Sequence, residues 1–167
     1  VMPWNFPFYQ VIRFAAPALM AGNTGVLKHA SNVQGSAFAL EEAFREAGFP
    51  EGAFTNLNIS ASKVKDIIED KNIVAVTLTG SDPAGRSVAS IAGQNLKKTV
   101  LELGGSDAYV ILDDANIEDA AEMATFGRLQ NNGQTCVAAK RFVVLDAIYD
   151  EFLEVFTKKM KAAKMGE

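Results

Sequence analysis

The stretch IVAVTLTGSDPAGRS, residues 73–87, decides the fold. Its first half, IVAVTLTG, is continuous, apolar and β-branched, the pattern of a parallel strand buried on both faces. Its second half places Ser81 where a helix begins, and that helix is predicted over residues 81–92. A buried strand that breaks at Gly80 and turns directly into a helix belongs to an alternating strand–helix chain, and the same alternation recurs on both sides of it.

Upstream, TGVLKHA (24–30) reads as a short strand. Residues 33–48 read as a helix, with Ala37, Leu40, Ala43, Phe44 and Ala47 spaced for one apolar face and with Gly48 and Pro50 as the stop. AFTNLNIS gives a second strand, followed by a helix starting near Ser60 or Ser62. Downstream, KKTVLELGG is a strand ended by a glycine pair, and DAYVILDDAN is a strand ending in Asp113 and Asp114. A helix then runs from Asn116 or Ile117 to about Leu129, KRFVVLD is a strand, and AIYDEFLEVFTKKMKAA is an amphipathic helix. The expected fold class is α/β: a parallel Rossmann-like sheet with helices on both faces, followed by the first part of a second α/β domain. The boundary is placed at the glycine pair, giving domains 1–104 and 105–167.

With 49% hydrophobic and 22% charged residues and a net charge of −4, the composition is that of an ordinary soluble domain. Acids and bases are interspersed, so no basic footprint for nucleic acid is present. No apolar run reaches the roughly 18 residues that span a bilayer. One Cys and one His exclude an internal disulfide and argue against a metal centre, and they point to a reducing, cytoplasmic setting. The abrupt start at Val1 and the helix running out at KKMKAAKMGE lead us to expect a fragment of a longer protein.

Five stretches carry residues with chemical potential. In LTGSDPAGRS, the N–H groups at the helix start suit a phosphate, although Ser81 is equally an ordinary N-cap. In VLKHAS, Lys28 ends a strand at the edge where open parallel sheets bind ligands; a solvated lysine is the plain alternative. In VLELGG, Glu102 sits among leucines, which suits either a general base or an edge-strand carboxylate facing water. In MPWNFP, Pro3 and Pro7 stiffen the loop and preclude regular structure, so Asn5 is held as an oxyanion donor must be, or simply satisfies main chain. In NNGQTCVAAKRF, Gly133 frees the turn before Cys136 and two cations, Lys140 and Arg141, follow; the thiol is a nucleophile or an inert packed group.

In this order and spacing, MPWNFP, VLKHAS, LTGS, LELGG and NNGQTC together resemble the aldehyde dehydrogenase superfamily, and LKHASN, ELGGSD and AAKRF resemble its succinate-semialdehyde dehydrogenase branch. The resemblance runs the length of the chain and corresponds to about the middle third of a family member. It implies that Cys136 is the nucleophile that forms a thiohemiacetal and then a thioester. It also implies that Asn5 and the Cys136 N–H form the oxyanion hole, and that Glu102 activates the hydrolytic water. Lys28 would hold the adenosine ribose, and Gly80 and Ser81 the pyrophosphate. Thr79, Leu103 and Gly104 would lie near the nicotinamide. Where many NAD-preferring members carry Glu, this chain has Ser31, which removes repulsion against a 2′-phosphate and favours NADP while tolerating NAD.

A semialdehyde carboxylate needs a cation, and Arg13, eight residues after Asn5, occupies the position where semialdehyde enzymes carry one. The second arginine of some members, six residues before the nucleophile, is Gln130 here, with Arg128 nearby. The resemblance further implies a homodimer or homotetramer for the full-length protein. A downstream Glu-x-Phe-Gly-Pro-like segment lies outside these residues, so this polypeptide by itself is expected to be inactive. A non-catalytic nucleotide-binding module would keep Lys28 and Ser81 but would not need Cys136, Glu102 and Asn5 together.

Overall fold

The computed structural model describes residues 1–166. They form two compact units, Val1–Leu103 and a second beginning at Gly104.

In the first unit the helices are α1 (Tyr9–Met20), α2 (Gln34–Glu46), α3 (Val64–Glu69) and α4 (Asp82–Gln94), and the strands are β1 (Gly25–Leu27), β2 (Phe54–Asn56), β3 (Ala75–Thr79) and β4 (Lys98–Glu102). Strands β1 and β2 pair in parallel, as do β3 and β4. Val1 and Met2 join the two pairs. The Val1 nitrogen donates to Thr77 O at 2.8 Å and Val1 O accepts from Thr79 N at 3.1 Å, while Met2 N donates to Lys28 O at 3.0 Å in a parallel bridge to His29. The spatial order is therefore β2, β1, the Val1–Met2 pair of residues, β3, β4. The chain winds outward in one direction, returns, and winds out in the other, which is the doubly wound topology with a switch point between Met2 and β3.

Adjacent residues of a strand point to opposite faces, and the core divides accordingly. Met2 packs with Leu27, Phe54, Val11, Ala15, Ala37 and Leu40 beneath α1 and α2. Val1 packs on the other face with Leu78, Val76, Leu101, Ile68, Val88 and Ala92 beneath α3 and α4. Burying one Leu or Val side chain of this kind contributes about 1.5–3 kcal/mol, so these clusters, rather than the three-residue ladder of β1, fix the sheet.

Three expectations change here. Strand β3 is not buried on both faces: only Leu78 is buried, Val74 is 75% exposed and Val100 on the neighbouring strand is 59% exposed. The uncovered face lines a groove of about 720 Å³ with Thr77, Thr79, Val100, Arg13 and Phe14. Among the described residues, α1 covers this face only in part. Regular structure is also not excluded around Pro3; the ladder runs through Met2 and stops at Pro3, which has no N–H to donate. Helix α1 itself was not anticipated, and it carries Pro17 in its interior.

In the second unit, β5 (Ala108–Ile111) and β6 (Arg141–Val144) pair in parallel, and α5 (Ile117–Leu129) and α6 (Tyr149–Ala162) cover one face. The buried residues are Ile111, Ala121, Ala124 and Phe152, backed by Tyr109, Phe142 and Phe156. Phe152 stacks on Phe156 with ring centroids 5.5 Å apart, and Phe142 lies 4.7 Å from Phe156. Asn116 caps α5, accepting from Asp119 N at 3.1 Å, and Glu118 and Asp119 complement the positive end of the helix.

Candidate active site

The carboxyl edge of the first unit's sheet is organised by a histidine. His29 is fully buried. Ala30 N donates to its Nδ1 at 2.9 Å, and the proton on Nε2 is donated to Pro7 O at 2.9 Å. That pairing assigns the tautomer, and it ties the loop bearing Asn5 to the end of β1. Gln34 holds the turn beside it, donating to His29 O and Ala30 O at 3.3 Å each and accepting from Asn56 Nδ2 at 3.5 Å. Lys28, half-buried, and Ser31, exposed, flank this fixed turn.

Across the switch point, β3 ends at Thr79 and the chain passes through Gly80 to Ser81, the N-cap of α4. Gly80 N donates to Glu102 O at 2.9 Å, and Ser81 Oγ accepts from Ala84 N at 3.5 Å. Gly85 has a purpose that its spacing from Gly80 did not reveal. A Cβ there would lie 2.6 Å from Leu103 Cδ2, so the missing side chain lets α4 press against the strand end at Leu103. Gly80 and Ser81 thus stand at the carboxyl end of β3, beside the switch point where doubly wound sheets bind nucleotides, and Asn5 lies on the loop that follows Met2.

Glu102 ends β4 and is not an unpartnered buried carboxylate. Its Oε1 accepts from Arg13 Nη2 at 2.8 Å, with the two side chains 46% and 49% exposed. Their separation of 89 positions hides this pair from any local reading of the sequence. Arg13 stands one turn into α1, and so the helix that the sequence did not announce carries the cation that meets the candidate base.

In the second unit, Cys136 is a free, half-buried thiol. The turn before it is unusual: Asn131, Asn132 and Gly133 take φ of 51°, 56° and 73° in succession. Asn tolerates this left-handed region better than other side chains, and Gly enters it freely. A Cβ on Gly133 would lie 2.9 Å from Arg128 Nη2 and 3.1 Å from Arg128 O, so the guanidinium occupies the space that glycine leaves. Arg128 is therefore a support for the turn, and its buried Nη1 has no partner among the described residues. Thr135, buried, donates to Gln130 O at 3.4 Å, and Ala138 and Ala139 are buried behind the thiol.

The two cations expected to activate the thiol are committed elsewhere. Lys140 Nζ donates to Gly105 O, and Arg141 Nε donates to Ser106 O at 2.8 Å. Nor does Cys136 open a helix; Cys136 and Val137 form a turn in which Ala138 N donates to Thr135 O at 3.1 Å, and residues 138–140 lead into β6. What these two cations do is hold Gly105 and Ser106 of the glycine-pair segment beside the chain that follows Cys136.

The aldehyde dehydrogenase family model matches residues 1–167, the whole chain. This chain belongs to the aldehyde dehydrogenase family. Within that family it is 55% identical over its full length to a Mycobacterium avium protein named succinate-semialdehyde dehydrogenase [NADP(+)], covering 35% of that protein. It is 56% identical to a Synechocystis protein named a probable succinate-semialdehyde dehydrogenase [NADP(+)], of which it covers 37%. A crystal structure of succinic semialdehyde dehydrogenase from Streptococcus pyogenes, in complex with NADP+, superposes on 99% of the chain with a TM-score of 0.95 at 52% identity, using 36% of that structure. The chain thus spans about a third of the length of the curated relatives it matches. The α/β fold expected from the strand–helix alternation is the fold of these aldehyde dehydrogenases.

Proposed function

We propose that this chain is the central part of an NADP-linked enzyme that oxidises succinate semialdehyde to succinate. The observation that carries the substrate is the Arg13 guanidinium, half exposed at the sheet's carboxyl edge beside Glu102, where it can take the far carboxylate of a semialdehyde. The names of relatives at 55% and 56% identity support the same reading. Gln130 stands where some members carry a second arginine, and Arg128 packs against the turn at Gly133, which leaves Arg13 as the cation assigned to the substrate carboxylate.

The residues at the sheet edge fit the cofactor. The N–H groups of α4 and Ser81 suit a pyrophosphate, Lys28 suits a ribose or phosphate, and Ser31 puts no carboxylate where a 2′-phosphate would lie. Thr79, Leu103 and Gly104 are assigned to the neighbourhood of the nicotinamide. When bound, NADP+ supplies the acceptor for the aldehyde hydride.

The chain's own residues do the remainder. Cys136 Sγ, as thiolate, bonds to the aldehyde carbon, and Asn5 and the Cys136 N–H hold the oxygen that gains charge. Loss of hydride leaves a thioester on Sγ. Glu102 takes a proton from water as the water oxygen attacks the thioester carbonyl; the C–S bond breaks, the thiolate is regenerated and the acid leaves. The sum is aldehyde, water and NADP+ giving carboxylic acid, NADPH and a proton. The same reading places the full-length protein in the cytoplasm, which the free Cys136 of this chain fits, and makes it a homodimer or homotetramer on the family resemblance.

The test is turnover of the full-length enzyme on succinate semialdehyde with each cofactor. We expect kcat/KM to favour NADP+ over NAD+ by about tenfold or more, the equivalent of about 1.4 kcal/mol. A preference for NAD+ would overturn the argument from Ser31, and absence of aldehyde-dependent NADPH formation would overturn the proposed activity.

A further inference from the structure

We propose that the Arg13–Glu102 ion pair is a latch that the substrate's own carboxylate opens. The inference rests on the semialdehyde reading above and adds to it a coupling between substrate recognition and the hydrolytic half-reaction. Glu102 is fixed through its main chain, where its carbonyl accepts from Gly80 N and its residue pairs with Thr79 in the ladder. Among the described residues its carboxylate is held by the 2.8 Å hydrogen bond that it accepts from Arg13 Nη2. Both partners are about half exposed, and a pair of this kind adds little to stability, so it exchanges readily. A substrate carboxylate offers the same guanidinium a bidentate partner, which is the stronger arrangement.

With no carboxylate-bearing aldehyde present, Arg13 keeps Glu102. When the semialdehyde carboxylate takes the guanidinium, Glu102 is released. The freed carboxylate then accepts the proton of the water that attacks the thioester, the acyl C–S bond breaks, and the proton passes to solvent with the acid product. An aldehyde without a second charged group acylates Cys136 but leaves the latch shut. Arg13 is a positioning residue in this scheme, and it discriminates at deacylation as well as at binding. The result is selectivity for ω-carboxylated aldehydes expressed partly in kcat.

The experiment uses full-length enzyme with NADP+ and compares succinate semialdehyde with butanal. For the wild type we expect a burst of one NADPH per active subunit with butanal, followed by slower steady turnover, and no such burst with succinate semialdehyde. Adding propionate, which offers Arg13 a carboxylate, is expected to raise the steady butanal rate. In R13Q, kcat/KM for succinate semialdehyde is expected to fall about 10- to 150-fold, the range for a lost charge-assisted contact. The steady butanal rate is expected to rise by about 1.5- to 5-fold, the range for an exposed pair, and to lose its response to propionate. R13K, which keeps a cation but not the fork, is expected to fall between the two.

The latch is overturned if the wild type shows no butanal burst, if propionate only inhibits, or if R13Q lowers both substrates in parallel. The propionate arm needs only wild-type protein and so does not depend on the variant folding. If the wild type does not oxidise succinate semialdehyde at all, the proposed function fails; if it does and the butanal results are absent, only the latch fails.

Discussion

At the scale of single residues, the turn that presents Cys136 was legible and its supports were not. A glycine three residues before a lone cysteine marks a turn that needs backbone freedom, and Gly133 sits at φ 73°. Nothing local shows that Arg128 fills the space beside it, or that Lys140 and Arg141 are tied to main-chain carbonyls rather than aimed at the thiol. Cations near a cysteine in sequence are candidates for activating it; their hydrogen bonds decide. The Arg13–Glu102 pair was unreadable for a plainer reason, since its members are 89 positions apart. We predict that Gly133→Ala in the full-length enzyme costs about 1–3 kcal/mol, because a Cβ both resists this φ and meets Arg128. A lowered Tm together with slower alkylation of Cys136 by iodoacetamide is the expected result; an unchanged Tm would mean that the turn is not under this constraint.

At the scale of elements, the strand–helix alternation was read correctly and its depth of burial was not. IVAVTLTG carries enough β-branched residues to be covered on both sides, yet the face of β3 and β4 bearing Thr77, Thr79 and Val100 is covered only in part among the described residues. Composition reports a strand's preference for burial, and only tertiary packing reports what fulfils it. Helix α1 escaped notice because Pro3 and Pro7 lie just before it and Pro17 interrupts its pattern. Helix α4 offers a paired test. Gly85→Ala places a methyl 2.6 Å from Leu103 Cδ2, so the Leu103 side chain must turn aside, which offsets a gain in helix propensity of at most about 1 kcal/mol. Gly93→Ala has open space around it and keeps the propensity gain. The melting temperature should therefore be lower for Gly85→Ala than for Gly93→Ala; equal shifts would contradict the close approach at Leu103.

At the scale of the whole molecule, the sheet's centre is made by Val1 and Met2, which bridge β1 to β3 through main-chain hydrogen bonds and place one side chain in the core on each face. Met2→Ala in the full-length enzyme is expected to cost about 2–5 kcal/mol, because Met2 is buried among Leu27, Phe54 and Val11. A lowered Tm is the expected result; an unchanged Tm would mean that this central strand does not anchor the sheet.

The central claim is that Cys136 carries the acyl group and Glu102 releases it. The most direct measurement is intact and peptide mass spectrometry of full-length E102Q after mixing with succinate semialdehyde and NADP+. The account predicts one NADPH per active subunit and one succinyl group, on the peptide containing Cys136, persisting because its hydrolysis is slow. Continuous NADPH formation with no acyl adduct, or an adduct on a peptide without Cys136, would contradict it.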